Sequence, residues 1–184
     1  DAGQMSNTLL SVCEDETALG EEVVNPFLDG NDIGIYVLHN GPGAILGTIF
    51  VTSTTPEFSY LPSLQYGITY YISYIVGNEV VGTVDLNDPC LSVSVGQPVV
   101  FNKIPVPFAG NDIQTCETIF ELGGVNDVSG SSVLWNVVSG TGITIVSPNQ
   151  LNSLVTVTGP GNYQLELEEN NEGCIGTDEI NITV

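Results

Sequence analysis

No stretch of this 184-residue chain places apolar residues at i, i+3, i+4 and i+7 through three turns. Short β-branched and aromatic runs stand instead between glycines and prolines, of which there are 21 and 10. That pattern excludes a helical architecture and leaves an all-β sandwich or barrel of many short strands. In Ile68-Thr-Tyr-Tyr-Ile-Ser-Tyr-Ile-Val76, the residues Ile68, Tyr70, Ile72, Tyr74 and Val76 share one face by period-2 alternation. Residues 33–38 read as a second strand, 39–43 as a turn, and 46–52 as the strand after it. Residues 57–61, 90–95 and 99–102 complete the first half, and Pro98 marks a bulge or an edge between the last two.

The second half repeats the logic. Strands are expected at 118–122, 132–138, 143–146, 154–158, 162–168 and 179–184, with Tyr163, Leu165 and Leu167 turned inward. Between the halves, Lys103-Ile-Pro-Val-Pro107 favours a stiff, extended segment, because neither Pro105 nor Pro107 can donate a ladder hydrogen bond. The expected domains are therefore 1–107 and 108–184. Residues 109–110 and residues 2–3 both read Ala-Gly, each followed by its half's first cysteine, so the chain reads as one period of a tandem array.

The four cysteines are Cys13, Cys90, Cys116 and Cys174. They match no zinc spacing, and His39 is the only histidine. Of three possible connectivities, the domain layout favours Cys13–Cys90 and Cys116–Cys174, one bridge per half; four free thiols are the alternative. The order Cys116, Trp135, Cys174 is that of an immunoglobulin-like sandwich whose tryptophan packs on an inter-sheet disulfide. The cysteines sit near strand ends, however, so the bridges are also readable as clamps at the sandwich ends. The expected fold is all-β: two tandem immunoglobulin-like β-sandwiches with one disulfide each. Such bridges persist only in an oxidising compartment.

Acidic residues number 22 against one basic residue, Lys103, for a net charge of −21. Nucleic acid is excluded as a partner, since neutralising phosphates takes many lysines or arginines. Anionic membrane surfaces are excluded on the same ground, and no apolar run is long enough for a transmembrane helix. The first residues, Asp-Ala-Gly-Gln-Met, are not a signal peptide, so secretion implies a leader removed upstream or a chain cut from a longer one.

Catalytic equipment is missing. A nucleophile–histidine device would have to use His39, which reads as a solvated turn residue ahead of Asn40-Gly-Pro-Gly43. The better chemistry is calcium. Asp29, Asn31 and Asp32, and Asp85, Asn87 and Asp88, cluster oxygen ligands in loops, and Asp112 lies near the expected joint. The competing account is Asx-turn chemistry, in which these side chains bond their own backbone. Tyr71 and Phe50 are candidate exposed aromatics for a sugar or partner, with core packing as the alternative. Asn181-Ile-Thr183 matches an N-glycosylation sequon but falls in a strand.

The run from Ala109-Gly-Asn-Asp to Cys116, with Leu122-Gly-Gly, Leu134-Trp135, Ser139-Gly-Thr-Gly142, Gly161-Asn-Tyr163 and Gly173-Cys174, resembles the PKD-like and Ig-like repeats of giant secreted Bacteroidota surface proteins of the gliding-motility-associated type. Residues 67–73 and 84–93 look like a companion domain from the same proteins. The resemblance implies export to the cell surface and roles in adhesion, motility or extracellular fibres, without catalytic residues. The reading that follows is a structural repeat module of a surface fibre, filament or stalk, built head to tail with copies or neighbouring repeats as partners. The alternative is an adhesin domain that binds a glycan or surface partner.

Overall fold

In the computed structural model, which describes Asp1–Val184, every regular element is a strand. The chain divides into two compact units, Asp1–Asn102 and Lys103–Val184. The boundary falls five residues before the expected 107/108 because residues 103–107 are fastened to the second unit. Asn171 donates to the Lys103 carbonyl, Lys103 and the Val106 N–H both meet the Asp127 carboxylate, and Gly176 lies so close under the Pro105 carbonyl that a Cβ would collide with it. Pro105 and Pro107, both buried, thus belong to the second unit and not to a free linker.

The first unit contains β1 (Leu10–Cys13), β2 (Thr17–Leu19), β3 (Asp32–His39), β4 (Ile49–Ser53), β5 (Glu57–Ser59), β6 (Thr69–Val80), β7 (Thr83–Val84), β8 (Ser92–Val93) and β9 (Gln97–Asn102). The larger sheet runs β1-β9-β6-β3-β4, with β7 and β8 also paired to β6; β2 and β5 form the second sheet. Alternation along β3 and β6 sorts their side chains to two faces. Tyr36, Leu38, Tyr70 and Ile72 join Ala18, Phe58, Val99 and Phe101 in the main core. Val37 and Ile75 pack with Val84 on the other face, under Leu46, Leu91 and Val93. Pro98 is accommodated because β1 pairs with β9 only from Val99 onward, so its missing N–H faces no ladder partner there.

The second unit contains β10 (Ile113–Gln114), β11 (Ile119–Glu121), β12 (Ser132–Ser139), β13 (Ile143–Ile145), β14 (Leu154–Val157), β15 (Asn162–Asn171) and β16 (Cys174–Thr183). Two sheets, β10-β16-β15-β12 and β11-β14-β13, face each other across Trp135, Leu122, Val155, Leu165, Leu167, Ile180 and Ile182. This is an immunoglobulin-like β-sandwich. Trp135 packs in a hydrocarbon core, not against a disulfide, and its indole N–H is shared between the Gln150 and Leu151 carbonyls at 3.1 and 3.2 Å. The last strand begins five residues before the expected 179. Glu172 and Gly173, both at positive φ, turn β15 tightly into β16.

In both units the first strand of the larger ladder runs parallel to the last, β1 on β9 and β10 on β16. The chain therefore enters each unit at one pole and leaves at the opposite one. In the first unit Ala2 N–H donates to Ser92 Oγ at one end of β6, while Asn102 lies beyond the other. In the second, Lys103 is held by Asn171 at one end of β15, and Val184 pairs with Gly161 at the other.

Candidate functional site

The poles are where the chemistry-bearing side chains gather. Asn78, near the far end of β6, collects both of the acidic loops. Its N–H donates to Asp88 Oδ2 at 2.7 Å, its carbonyl accepts from Asp85 N–H, and it pairs with Asp32 across the ladder. The structure thus brings Asp32, Asp85 and Asp88 to one pole. It uses their oxygens as turn acceptors, however. Asp88 Oδ1 accepts from Cys90 N–H at 2.8 Å, Asp85 Oδ1 from Asn87 N–H at 2.9 Å, and Asp32 Oδ2 from Asp29 N–H at 3.3 Å. The Asn31 carbonyl accepts from Glu79 N–H. Backbone donors hold the Asp88 carboxyl below the usual range, first Asn78 and then Cys90. No three histidine, cysteine or carboxylate side chains converge as a cation cage. Asp112 is placed differently from expectation. Its Oδ1 accepts from Asn181 N–H near the end of β16, toward the Val184 pole and away from the joint residues.

The cysteines overturn the expected pairing. Cys13 and Cys174 are disulfide-bonded cysteines, whereas Cys90 and Cys116 are free and exposed. Distance within each unit explains it. Cys13 pairs with Asn102, past the Thr69 end of β6, and Cys90 is fixed through Asp88 to Asn78 near the other end. Nine residues of strand separate Thr69 from Asn78, about 30 Å at strand rise. Cys174 opens β16, and Cys116 follows Thr115, whose N–H donates to the Thr183 carbonyl at the strand's end. That separation is again about 30 Å, against the roughly 6 Å between Cα atoms that a disulfide spans. Spacing along the sequence carries no information about which pole a cysteine reaches.

His39 is not a solvated turn residue. It closes β3 at 0% exposure, with Nε2 2.9 Å from Ser73 Oγ and Nδ1 accepting from Gly41 N–H. Ser73 Oγ donates in turn to the Ser94 carbonyl. Burial lowers the imidazole pKa to about 4, so it is neutral at pH 7. A serine and histidine in contact invite comparison with a nucleophile and its base, but both are sealed from solvent and Ser73 is committed to a carbonyl. Sequence reasoning missed this polar cluster; the alternation that turns Val37 inward turns His39 the same way.

Phe50 packs edge-on against Tyr70 at 5.3 Å, and Tyr71 is half-buried beside His39. Neither stands free. Phe27, Phe108 and Tyr66 are the exposed aromatics, and Tyr66 stacks on Tyr60 at 4.6 Å and 12°, with its hydroxyl donating to Glu14. That hydrogen bond is the main reason its phenol is pushed far up. A depression lined by Gly140, Thr141, Thr158, Pro160 and Asn162 lies at the Val184 pole and contains no carboxylate, histidine or cysteine. The one lysine is spent in an ion pair, Lys103 Nζ to Asp127 Oδ2 at 2.5 Å.

No protein-family model matches the chain, and no curated protein matches it by sequence. Among solved structures it is similar to a human PKD domain, with 20% identity over 44% of this chain and 80% of that one, at a TM-score of 0.37. It is also similar to fibronectin(III)-like modules of Clostridium thermocellum CbhA, with 14% identity over 100% and 90% of the two chains and a TM-score of 0.36. Drosophila N-cadherin EC1-4 aligns at 12% identity over 100% of this chain and 49% of that one, with a TM-score of 0.41. Identities this low concern the fold, and the immunoglobulin-like assignment rests on the sheets described above.

Proposed function

We propose that this chain is a structural module of an extracellular fibre or stalk, assembled head to tail and without catalytic activity. The observation that carries the reading is polarity: in each unit the chain enters at one pole and leaves at the other, about 30 Å away along the sheet. A closed sandwich with exits at opposite poles is a building block for linear arrays, because each added unit extends the axis. Supporting it, the one histidine is sealed in a core and the Asp88 carboxylate is engaged in a turn. The disulfide suits an oxidising, extracellular setting. An origin in giant Bacteroidota surface proteins belongs to the same proposal and rests on the motifs of the second half.

Sedimentation velocity across a concentration series at physiological salt tests it. Open-ended association is expected, with weight-average mass rising without a plateau. A species that stays monomeric at every concentration would refute head-to-tail assembly. The adhesin reading draws on the exposed Tyr60–Tyr66 stack, since a sugar face packs well on such a surface. Saturable glycan binding lost in Tyr66→Ala would favour it over the module reading.

A further inference from the structure

We propose that Cys90 and Cys116 are the two halves of a disulfide between successive copies, Cys116 of one chain joining Cys90 of the next. The inference rests on the head-to-tail reading and deepens it. Both thiols are free and exposed, and they are placed asymmetrically. Cys90 lies at the first unit's entry pole, two residues before Ser92, whose hydroxyl receives the Ala2 N–H. Cys116 lies at the second unit's exit pole, beside the Thr183 carbonyl that receives Thr115 N–H. Each is thus at the pole of its unit remote from the 102/103 boundary, whereas the bonded cysteines, Cys13 and Cys174, lie at the near poles.

The segments presenting the thiols are held, not loose. Asp88 accepts from Cys90 N–H through its carboxylate and from Leu91 N–H through its carbonyl. Thr115 and Glu117 flank Cys116 in an ST turn. Neither thiol is bonded within the chain, so each is available to a partner.

A second observation points to a copy of this chain as the partner. The hairpin tip beyond Asn78 carries Val81, a β-branched residue at φ 51 and 98% exposed. Left-handed backbone disfavours such a residue, and solvent gives nothing back for the valine surface. Phe27 and Leu86 are exposed on the neighbouring loops. The Val184 pole offers the counterpart, the depression lined by Gly140, Thr158 and Pro160, and exposed Ile119 lies across from Thr156 of β14. A projecting tip at one pole and a hollow at the other form a heterologous pair, which propagates a line of copies instead of closing a dimer.

The bond forms by exchange with a small disulfide donor such as oxidised glutathione or an oxidised dithiol catalyst. A thiolate of Cys90 or Cys116 attacks the donor and displaces one thiolate. The second cysteine then attacks the mixed disulfide and displaces the other. The two cysteine sulfurs are oxidised, the donor is reduced to two thiols, and the protons lost by the cysteines pass to the departing thiolates.

The test uses Cys90→Ser and Cys116→Ser in the full chain, both exposed positions where the exchange leaves the fold intact. After incubation with oxidised glutathione, non-reducing electrophoresis of the wild type should give a ladder that dithiothreitol collapses. Each variant alone should stay monomeric. An equimolar mixture of the two should stop at the dimer, joined by a Cys90–Cys116 peptide whose halves carry different isotope labels. A variant that dimerises alone would overturn the asymmetric pairing. Open-ended association of a wild type whose two thiols remain alkylatable after oxidation would overturn the disulfide and leave the module reading standing.

Discussion

Lowering the pH from 7 to 5 should destabilise the first unit through His39 by about 2 kcal/mol. The buried imidazole has its pKa lowered from 6.5 to about 4. Because the folded value is the depressed one, the unfolded chain binds the proton first. Stability is therefore fully present above pH 6.5 and is lost as the pH falls toward 4. Each pKa unit corresponds to 1.36 kcal/mol, so the loss approaches about 3 kcal/mol below pH 4, and about 2 kcal/mol of it is reached by pH 5. The carboxylates with lowered values, Asp88 and Asp127, act in a separate window, below their ordinary 3.8. Relief of the net charge of −21 on acidification works in the opposite direction and is common to wild type and variant. The assay is native-state hydrogen exchange of β3 and β6 amides at pH 7 and pH 5, in wild type and His39→Gln. The variant starts less stable because Ser73 and Gly41 lose their partner, but its stability should carry none of the imidazole's pH dependence. An identical change between the two pH values in both proteins would refute the claim that His39 is buried and neutral.

Four further outcomes follow from the same geometry. Trp135→Ala should cost about 3–5 kcal/mol in denaturant unfolding, because the indole fills the second core and satisfies the Gln150 and Leu151 carbonyls. Val81→Asn should stabilise the hairpin by about 1 kcal/mol, since Asn-Gly suits a turn with both central residues at positive φ, and should weaken self-association in sedimentation. Lys103→Met should raise the Asp127 carboxyl pKa toward its ordinary value, read by NMR titration, because the lysine contact is the first cause of its depression. Association should strengthen with salt as repulsion between −21 chains is screened, and calcium and magnesium at equal concentration should act alike if the acidic loops serve as turns.

Long, two-faced strands were legible before the structure. Tyr70 and Ile72 in β6, and Tyr163, Leu165 and Leu167 in β15, declare their inward face by alternation alone. So does the choice of an all-β fold. The short strands β1 and β2 were not legible, because three or four residues whose pairing is made by distant β9 and β5 carry no periodicity of their own. The final strand is read too short because Gly176-Thr-Asp178 looks like loop, while the turn at Glu172-Gly173 lacks the usual Asn-Gly pair. The acidic loops carry the local turn contacts of Asp85 and Asp32 in their own sequence, but the contact of Asp88 with Asn78 N–H is set by where β6 ends. The cysteines failed for a topological reason: a parallel first-to-last strand pair sends the chain to opposite poles, and separation in sequence does not reveal it.

The most direct test of head-to-tail assembly is electron microscopy of the protein incubated at physiological salt under oxidising conditions. The account predicts unbranched fibres whose axial repeat equals one two-unit chain, each joint uniting an exit pole with an entry pole. Isolated particles, or closed dimers joined through like poles, would contradict it.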